Sequence, residues 1–164
     1  MTTKKILVTG GAGFIGSHLT NHLLSLGYNV TVIDNLANGN LDNLSDAQEK
    51  SNFTFVKGDI LDKQLCLDIA KDCSYIFHLA CLGVRHSIHS PFENHRVNAE
   101  GTLNVLEAAK QNNIEHFFYI STSEIYGRTT SFPITEEAAT APLTVYGASK
   151  LVGEHYTNAY NECY

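Results

Sequence analysis

Residues 4–27 read KKILVTGGAGFIGSHLTNHLLSLG. A short apolar run ends in glycine, and then the apolar spacing changes. Phe14, Ile15, Leu19, Leu23, Leu24 and Leu26 recur at near-helical intervals until Gly27, a typical C-terminal stop. A strand therefore feeds a helix through a turn that holds Gly10, Gly13 and Gly16 at GxxGxxG spacing. Gly10 permits the tight turn, Gly13 lets the backbone approach a pyrophosphate, and Gly16 lets the helix pack closely against the sheet. Phosphates would be held by the first amides of the helix, at Phe14, Ile15 and Gly16, where the helix dipole favours anions. A plain glycine turn is the alternative. The strand before and the helix after argue for the phosphate cradle.

Outward from this stretch, strand and helix alternate. Strands are expected at 4–10, 29–34 (NVTVID), 53–59 (FTFVKGD), 74–80 (SYIFHLA) and 115–122 (EHFFYIST). Helices are expected at 14–27, 62–72, 90–113 and 145–162, with a loop and a short helix between 35 and 51. Ser90 is the expected N-cap of the long helix and Pro91 its first residue. The strands are continuous apolar runs, as in strands covered on both faces. The expectation is an α/β fold with a doubly wound parallel sheet of the Rossmann type, strand order 3-2-1-4-5. At 164 residues the chain fits one domain, 1–164.

Composition is that of an ordinary globular protein, with 43% hydrophobic and 17% charged residues. The formal charge of -6 and the lack of a basic tract give no support to nucleic-acid or anionic-membrane binding. No apolar run approaches the roughly 20 residues of a membrane span, and no signal peptide is expected. Cys66, Cys73, Cys81 and Cys163 form no CxxC pair and fit no zinc spacing. They read as free thiols in a reducing, cytoplasmic compartment. His86 and His89 lie three apart with no third ligand nearby, so no metal site is expected.

Asp34 ends the second strand about 20 residues past the glycines, where an acid accepts hydrogen bonds from the adenosine ribose. It would repel a 2′-phosphate, and the residues that follow, Asn35, Leu36 and Ala37, include no arginine. NAD is therefore expected over NADP, with Asn35 beside the ribose. In KGDILD (57–62), Asp59 would accept the adenine amino group and Ile60 would pack on the ring. Leu79 and Ala80 close the fourth strand at a cofactor-facing edge, where Ala80 is small enough for close approach. His78 reads as a strand residue with a satisfied ring.

TVYGASK (144–150) sets Tyr146 and Lys150 four apart, on one face of a helix. Together the motifs TGGAGFIG (9–16), HLAC (78–81), NAEGT (98–102), STSEIYG (121–127) and YGASK (146–150) resemble the extended short-chain dehydrogenase/reductase family. The resemblance is to its NAD-dependent nucleotide-sugar epimerase/dehydratase branch, and it implies the following roles. Tyr146 is the catalytic base, its phenol made more acidic by the Lys150 ammonium and a positive nicotinamide ring. Lys150 also bonds the nicotinamide ribose. Thr122 bonds the reacting sugar oxygen, and Ser123 borders the substrate. Glu124 is a candidate proton carrier at C5, as in the dehydratases and decarboxylases. Arg85 and Ser87 in CLGVRHSIHS (81–90) meet sugar or phosphate oxygens, although a surface arginine is an equal alternative. Asn98 supports the catalytic loop beside the cofactor.

The implied reaction oxidises a nucleotide sugar, at C4, to a keto intermediate and then returns the hydride. Alternatives are a non-catalytic NAD-binding module, a decarboxylase of the same family, or a simple alcohol dehydrogenase. Family members run to about twice this length, with a C-terminal substrate domain, so the chain is expected to be the N-terminal part of a longer enzyme. The fifth strand would then lie at an apolar sheet edge. A homodimer is expected through the helices near 91–111 and 145–162.

Overall fold

The computed structural model describes residues 4–130 and 132–164. Five strands form one parallel sheet: β1 (Lys5–Thr9), β2 (Asn29–Asp34), β3 (Phe53–Lys57), β4 (Cys73–His78) and β5 (His116–Tyr119). Their order is β3-β2-β1-β4-β5, the 3-2-1-4-5 arrangement read from the sequence. The register runs straight across the centre, with Val8 beside Val32 on one side and Phe77 on the other.

Two compact units are present: one made of residues up to Ala80 with Asn104–Ile120, the other of Cys81–Leu103 with Ser121–Tyr164. The first holds the whole sheet. Alternate residues of a strand face opposite sides, so Ile6 and Val8 share one face with Val30 and Val32. There they are buried against Leu23 and Leu24 of α1 (Phe14–Ser25) and Ala47 of α2 (Ser45–Gln48). Leu7, Ile33 and Ile76 are buried on the other parity. On that side Leu65 of α3 (Lys63–Ile69) lies beside Ile33 over Gly58. Asn104 and Asn112 tie the adjoining helical run to the Ile60 and Leu67 carbonyls, at 3.0 and 3.2 Å.

Burial on both faces holds for the central strands only. β5 alternates between exposed and half-buried residues, with Phe118 stacked on Phe77 at 4.5 Å yet 42% exposed. An edge strand has one neighbour, so its apolar residues keep an open side.

The second unit departs from the expected pattern in three places. The stretch 81–90, read as loop, contains helix α4 (Val84–His89). The long helix is composite: α5 (Pro91–His95), a π turn (Arg96–Glu100), then α6 (Gly101–Gln111). Ser90 occupies the cap position before Pro91, but its side chain makes no capping bond. α7 (Val145–Cys163) starts at Thr144, whose hydroxyl accepts from the Gly147 N–H at 2.9 Å.

Candidate active site and nucleotide cradle

The cradle belongs to the first unit. Gly10 has φ +70°, and a Cβ there would lie 2.7 Å from the Ala80 nitrogen. Only glycine lets the turn pass so close to the end of β4. Ala80 thus approaches Gly10 itself. A Cβ on Gly16 would overlap the Gly10 carbonyl oxygen and sit 2.7 Å from Gly11 Cα. The close contact it allows is between α1 and the turn, rather than between α1 and the sheet. The first backbone bond of α1 runs from Ser17 N–H to Gly13 O, at 2.9 Å. The Phe14, Ile15 and Gly16 amides precede it and so have no carbonyl within the helix. Gly13 has no side chain to cap them, and the first turn carries no acid. Phe14 and Ile15 are 79% and 62% exposed beside this end.

Asp34 braces the cradle. One carboxylate oxygen accepts from Ala12 N–H at 2.9 Å and the other from Leu36 N–H at 2.8 Å. Each oxygen retains a further lone pair for a ribose hydroxyl. Sequence reasoning missed the loop that completes this support. Asn40 N–H and Asn43 Nδ2 both donate to the Ala12 carbonyl, at 3.1 and 2.9 Å. Asn35 Nδ2 donates to Asp59 at 2.9 Å, and the other Asp59 oxygen accepts from Leu61 N–H. Asp59 is half-buried and Ile60 is buried. His78 is buried and pairs through Nδ1 with the Thr9 hydroxyl at 2.7 Å, and the same hydroxyl accepts from Leu79 and Ala80 N–H.

The second unit holds the Tyr146 group. Thr122 opens a 3-10 turn, Ser123–Tyr126, and its hydroxyl accepts from Glu124 N–H at 3.3 Å. Gly147 permits α7 to start against that turn, since a Cβ there would lie 2.9 Å from the Glu124 carbonyl oxygen. Tyr146 is half-buried and hydrogen-bonded with Thr122. Lys150, one turn on, is only 2% exposed. Burial pushes the Tyr146 phenol above its ordinary value, and Cys81 and Glu124 add to the rise, while the Thr122 bond opposes it. Burial likewise holds the Lys150 ammonium below its ordinary value against the pull of Cys81 and Glu154. Lys150 is not among the groups that shift the Tyr146 phenol. Ser123 and Glu124 are exposed, and so is Arg85. Ser87 is buried, with its hydroxyl donating to Val84 O at 2.7 Å. Asn98 is buried on the π turn, where it bonds both backbone groups of Leu82 and the Ser149 hydroxyl. That is a supporting position.

Cys66 and Cys73 are free and buried, and burial raises their thiols to about 12 and about 11. Cys81 and Cys163 are free as well. Among the described residues, no helix is long and apolar enough to cross a membrane.

A parallel sheet with a glycine turn leading into a helix and an acid at the end of β2 is the arrangement on which dinucleotide-binding folds hold their cofactor. The family model described as GDP-mannose 4,6 dehydratase matches residues 7–164, and the chain belongs to this NAD-dependent epimerase/dehydratase family. It is 40% identical over 162 residues to a putative UDP-glucose 4-epimerase of Methanocaldococcus jannaschii, covering 97% of this chain and 52% of that protein. It is also 40% identical over 158 residues to dTDP-glucose 4,6-dehydratase of Streptomyces niveus, covering 92% of this chain and 47% of that one. Among solved structures, it matches UDP-N-acetylglucosamine 4-epimerase from Methanobrevibacter ruminantium M1 in complex with UDP-N-acetylmuramic acid. The TM-score is 0.94 at 36% identity, covering 100% of this chain and 52% of that one. A dTDP-glucose 4,6-dehydratase from Streptomyces venezuelae with NAD bound gives TM-score 0.93 at 34% identity, covering 98% and 52%. The chain spans about half the length of the curated relatives it matches.

Proposed function

We propose that the chain is the NAD-binding and acid–base part of a nucleotide-sugar epimerase or dehydratase. The residues present fit NAD. Gly10 and Gly16 keep the cradle free of side chains, three helix-end amides face no capping group, and Asp34 has lone pairs left for a ribose diol. Gly13, Phe14, Ile15 and Gly16 would hold the pyrophosphate. Asp34 and Asn35 would take the adenosine ribose, Asp59 and Ile60 the adenine, and Leu79 and Ala80 the edge of the sheet beside it. Tyr146 and Lys150 would hold the nicotinamide ribose. Bound NAD supplies the acceptor, and later the donor, of hydride at C4.

The observation that carries this reading is Tyr146 bonded to Thr122, with a buried Lys150 one turn on in α7. Tyr146 takes and returns the proton of the sugar hydroxyl, and Thr122 orients that oxygen. Glu124 is exposed at the same turn and is free to carry a proton at a neighbouring carbon. Ser123 and Arg85 supply further polar contacts to the nucleotide sugar. Ser87 acts on the substrate only through the fold of α4, because its hydroxyl is already engaged with Val84 O.

The test is calorimetry with NAD and NMR product analysis across a panel of nucleotide sugars. Tyr146→Phe should keep NAD uptake and lose conversion. No NAD uptake by the wild type, or equal conversion by both forms, would overturn the reading. A cytoplasmic location fits the four free thiols. A homodimer through the helices within 91–111 and 145–162 is part of the proposal. It is supported by Phe92, 89% exposed, and by Tyr156 and Tyr160, both half-buried.

A further inference from the structure

Three polar side chains, Asn94, Asn98 and Ser149, are buried together in the second unit, at 0%, 1% and 1% exposure. Buried polar groups of this kind are costly unless every one is partnered. Here every one is. Leu82 N–H donates to Asn98 Oδ1 at 2.8 Å. The Leu82 carbonyl accepts from Asn94 Nδ2 at 2.8 Å and from Asn98 Nδ2 at 2.9 Å. Asn94 Nδ2 also reaches the Gly83 carbonyl at 3.2 Å. On its other side, Asn94 Oδ1 shares the second Asn98 Nδ2 proton, at 3.2 Å, with Ser149 Oγ, which lies 3.4 Å from it. Ser149 Oγ in turn donates to the Tyr146 carbonyl at 2.8 Å and accepts from Asn98 Nδ2 at 3.1 Å.

This network reaches two parts of the acid–base site. One end is the backbone of Tyr146. The other is the Leu82–Gly83 turn, which follows directly on Cys81. Cys81 is near enough to Tyr146 and Lys150 to act on the charge of both. The π turn Arg96–Glu100 belongs to the same device. Asn98 lies at its centre, and Thr102 Oγ1 donates to the Asn98 carbonyl at 2.6 Å. Single π turns of this sort are frequent at functional sites.

We propose that Asn94 is a positioning residue of the acid–base site. It clamps the Leu82–Gly83 turn, and Cys81 with it, to the first turn of α7, so that the wall beside Tyr146 stays closed to water. The proposal rests on the reading of Tyr146 as the acid–base group. That reading is decided separately, by the loss of sugar conversion in Tyr146→Phe.

The experiment follows phenolate absorbance against pH and subtracts the Tyr146→Phe curve to isolate Tyr146. In Asn94→Ala the midpoint should move down, towards the ordinary tyrosine value near 10. An unchanged midpoint in a folded Asn94→Ala protein overturns the proposal. If that variant does not fold, Ser149→Ala removes one hydroxyl from the same link and should move the midpoint in the same direction, and no movement there also overturns it. Asn112→Ala removes an asparagine of the other unit that bonds Leu67 O. It should leave the midpoint in place, and an equal shift would reduce Asn94 to general stability and overturn the proposal.

Discussion

Lys150→Met in a Tyr146→Phe background should make the chain more stable at neutral pH. The buried ammonium sits below its ordinary value of 10.5, with burial as the largest cause. That direction already includes its attractive partners, so the net surroundings disfavour the charge relative to water. A tenfold loss of proton affinity on burial costs the native state about 1.4 kcal/mol. Replacing buried ion pairs by apolar residues of similar size is neutral or gains about 1–4 kcal/mol in other proteins. Between the lowered native value and 10.5, the unfolded chain holds the lysine proton and the native chain does not. The parent therefore gains stability as pH rises through that window. The advantage of methionine is full at neutral pH and shrinks to its packing component above 10.5. The Tyr146→Phe background removes the phenol, whose raised value gives the opposite slope just above 10.0. Urea unfolding with linear extrapolation, repeated from neutral pH to above 10.5, measures the difference. A methionine variant less stable than its parent at neutral pH, or a difference that does not change with pH, would refute the reasoning.

Two further outcomes follow from the cradle. Gly16→Ala places a Cβ against the Gly10 carbonyl and 2.7 Å from Gly11 Cα. It should destabilise the chain by about 1–3 kcal/mol in thermal melts and abolish NAD uptake by calorimetry, and unchanged uptake would count against the cradle. Asp34→Ala leaves Ala12 and Leu36 N–H without their charged acceptor, at a cost of about 2 kcal/mol or more. NAD affinity should fall about tenfold or more with it, the loss of a charge-assisted bond, and binding equal to wild type would show that the acid serves the fold alone.

The sheet was legible because its signals are local and strong. Runs such as KILVT and NVTVID can be satisfied only by burial, and each is followed by a helix-period pattern or a turn. Strand order then followed from crossover handedness. The short elements were illegible for the opposite reason. α4 is six residues, VRHSIH, too few for a 3.6-residue period to show, and its histidines and arginine look like loop. The π turn at 96–100 is a shift of hydrogen-bond register with no composition of its own. It is set by Asn98, whose partners Leu82 and Ser149 lie 16 and 51 residues away. The bracing of Ala12 by Asn40 and Asn43 belongs to the same kind. A polar, turn-rich stretch announces a loop without saying which carbonyl the loop will hold.

Spacing put Tyr146 and Lys150 on one helix, as α7 has them, but said nothing of their electrostatics. A tyrosine and a lysine at i and i+4 suggest a cation lowering the phenol. In the folded chain both groups are withdrawn from water, which moves the phenol up and the ammonium down. Sequence spacing cannot reveal this, because the burial of Lys150 depends on what packs over it in the folded chain. The physical consequence is that Tyr146 rests as a neutral phenol at physiological pH, bonded to Thr122. The phenol is therefore poised to donate rather than to accept a proton, and positive charge brought to its oxygen would favour the opposite. Lys150 does not enter the shift of the phenol. Its buried position is better suited to fixing a hydrogen-bond direction than to acting as a strong point charge.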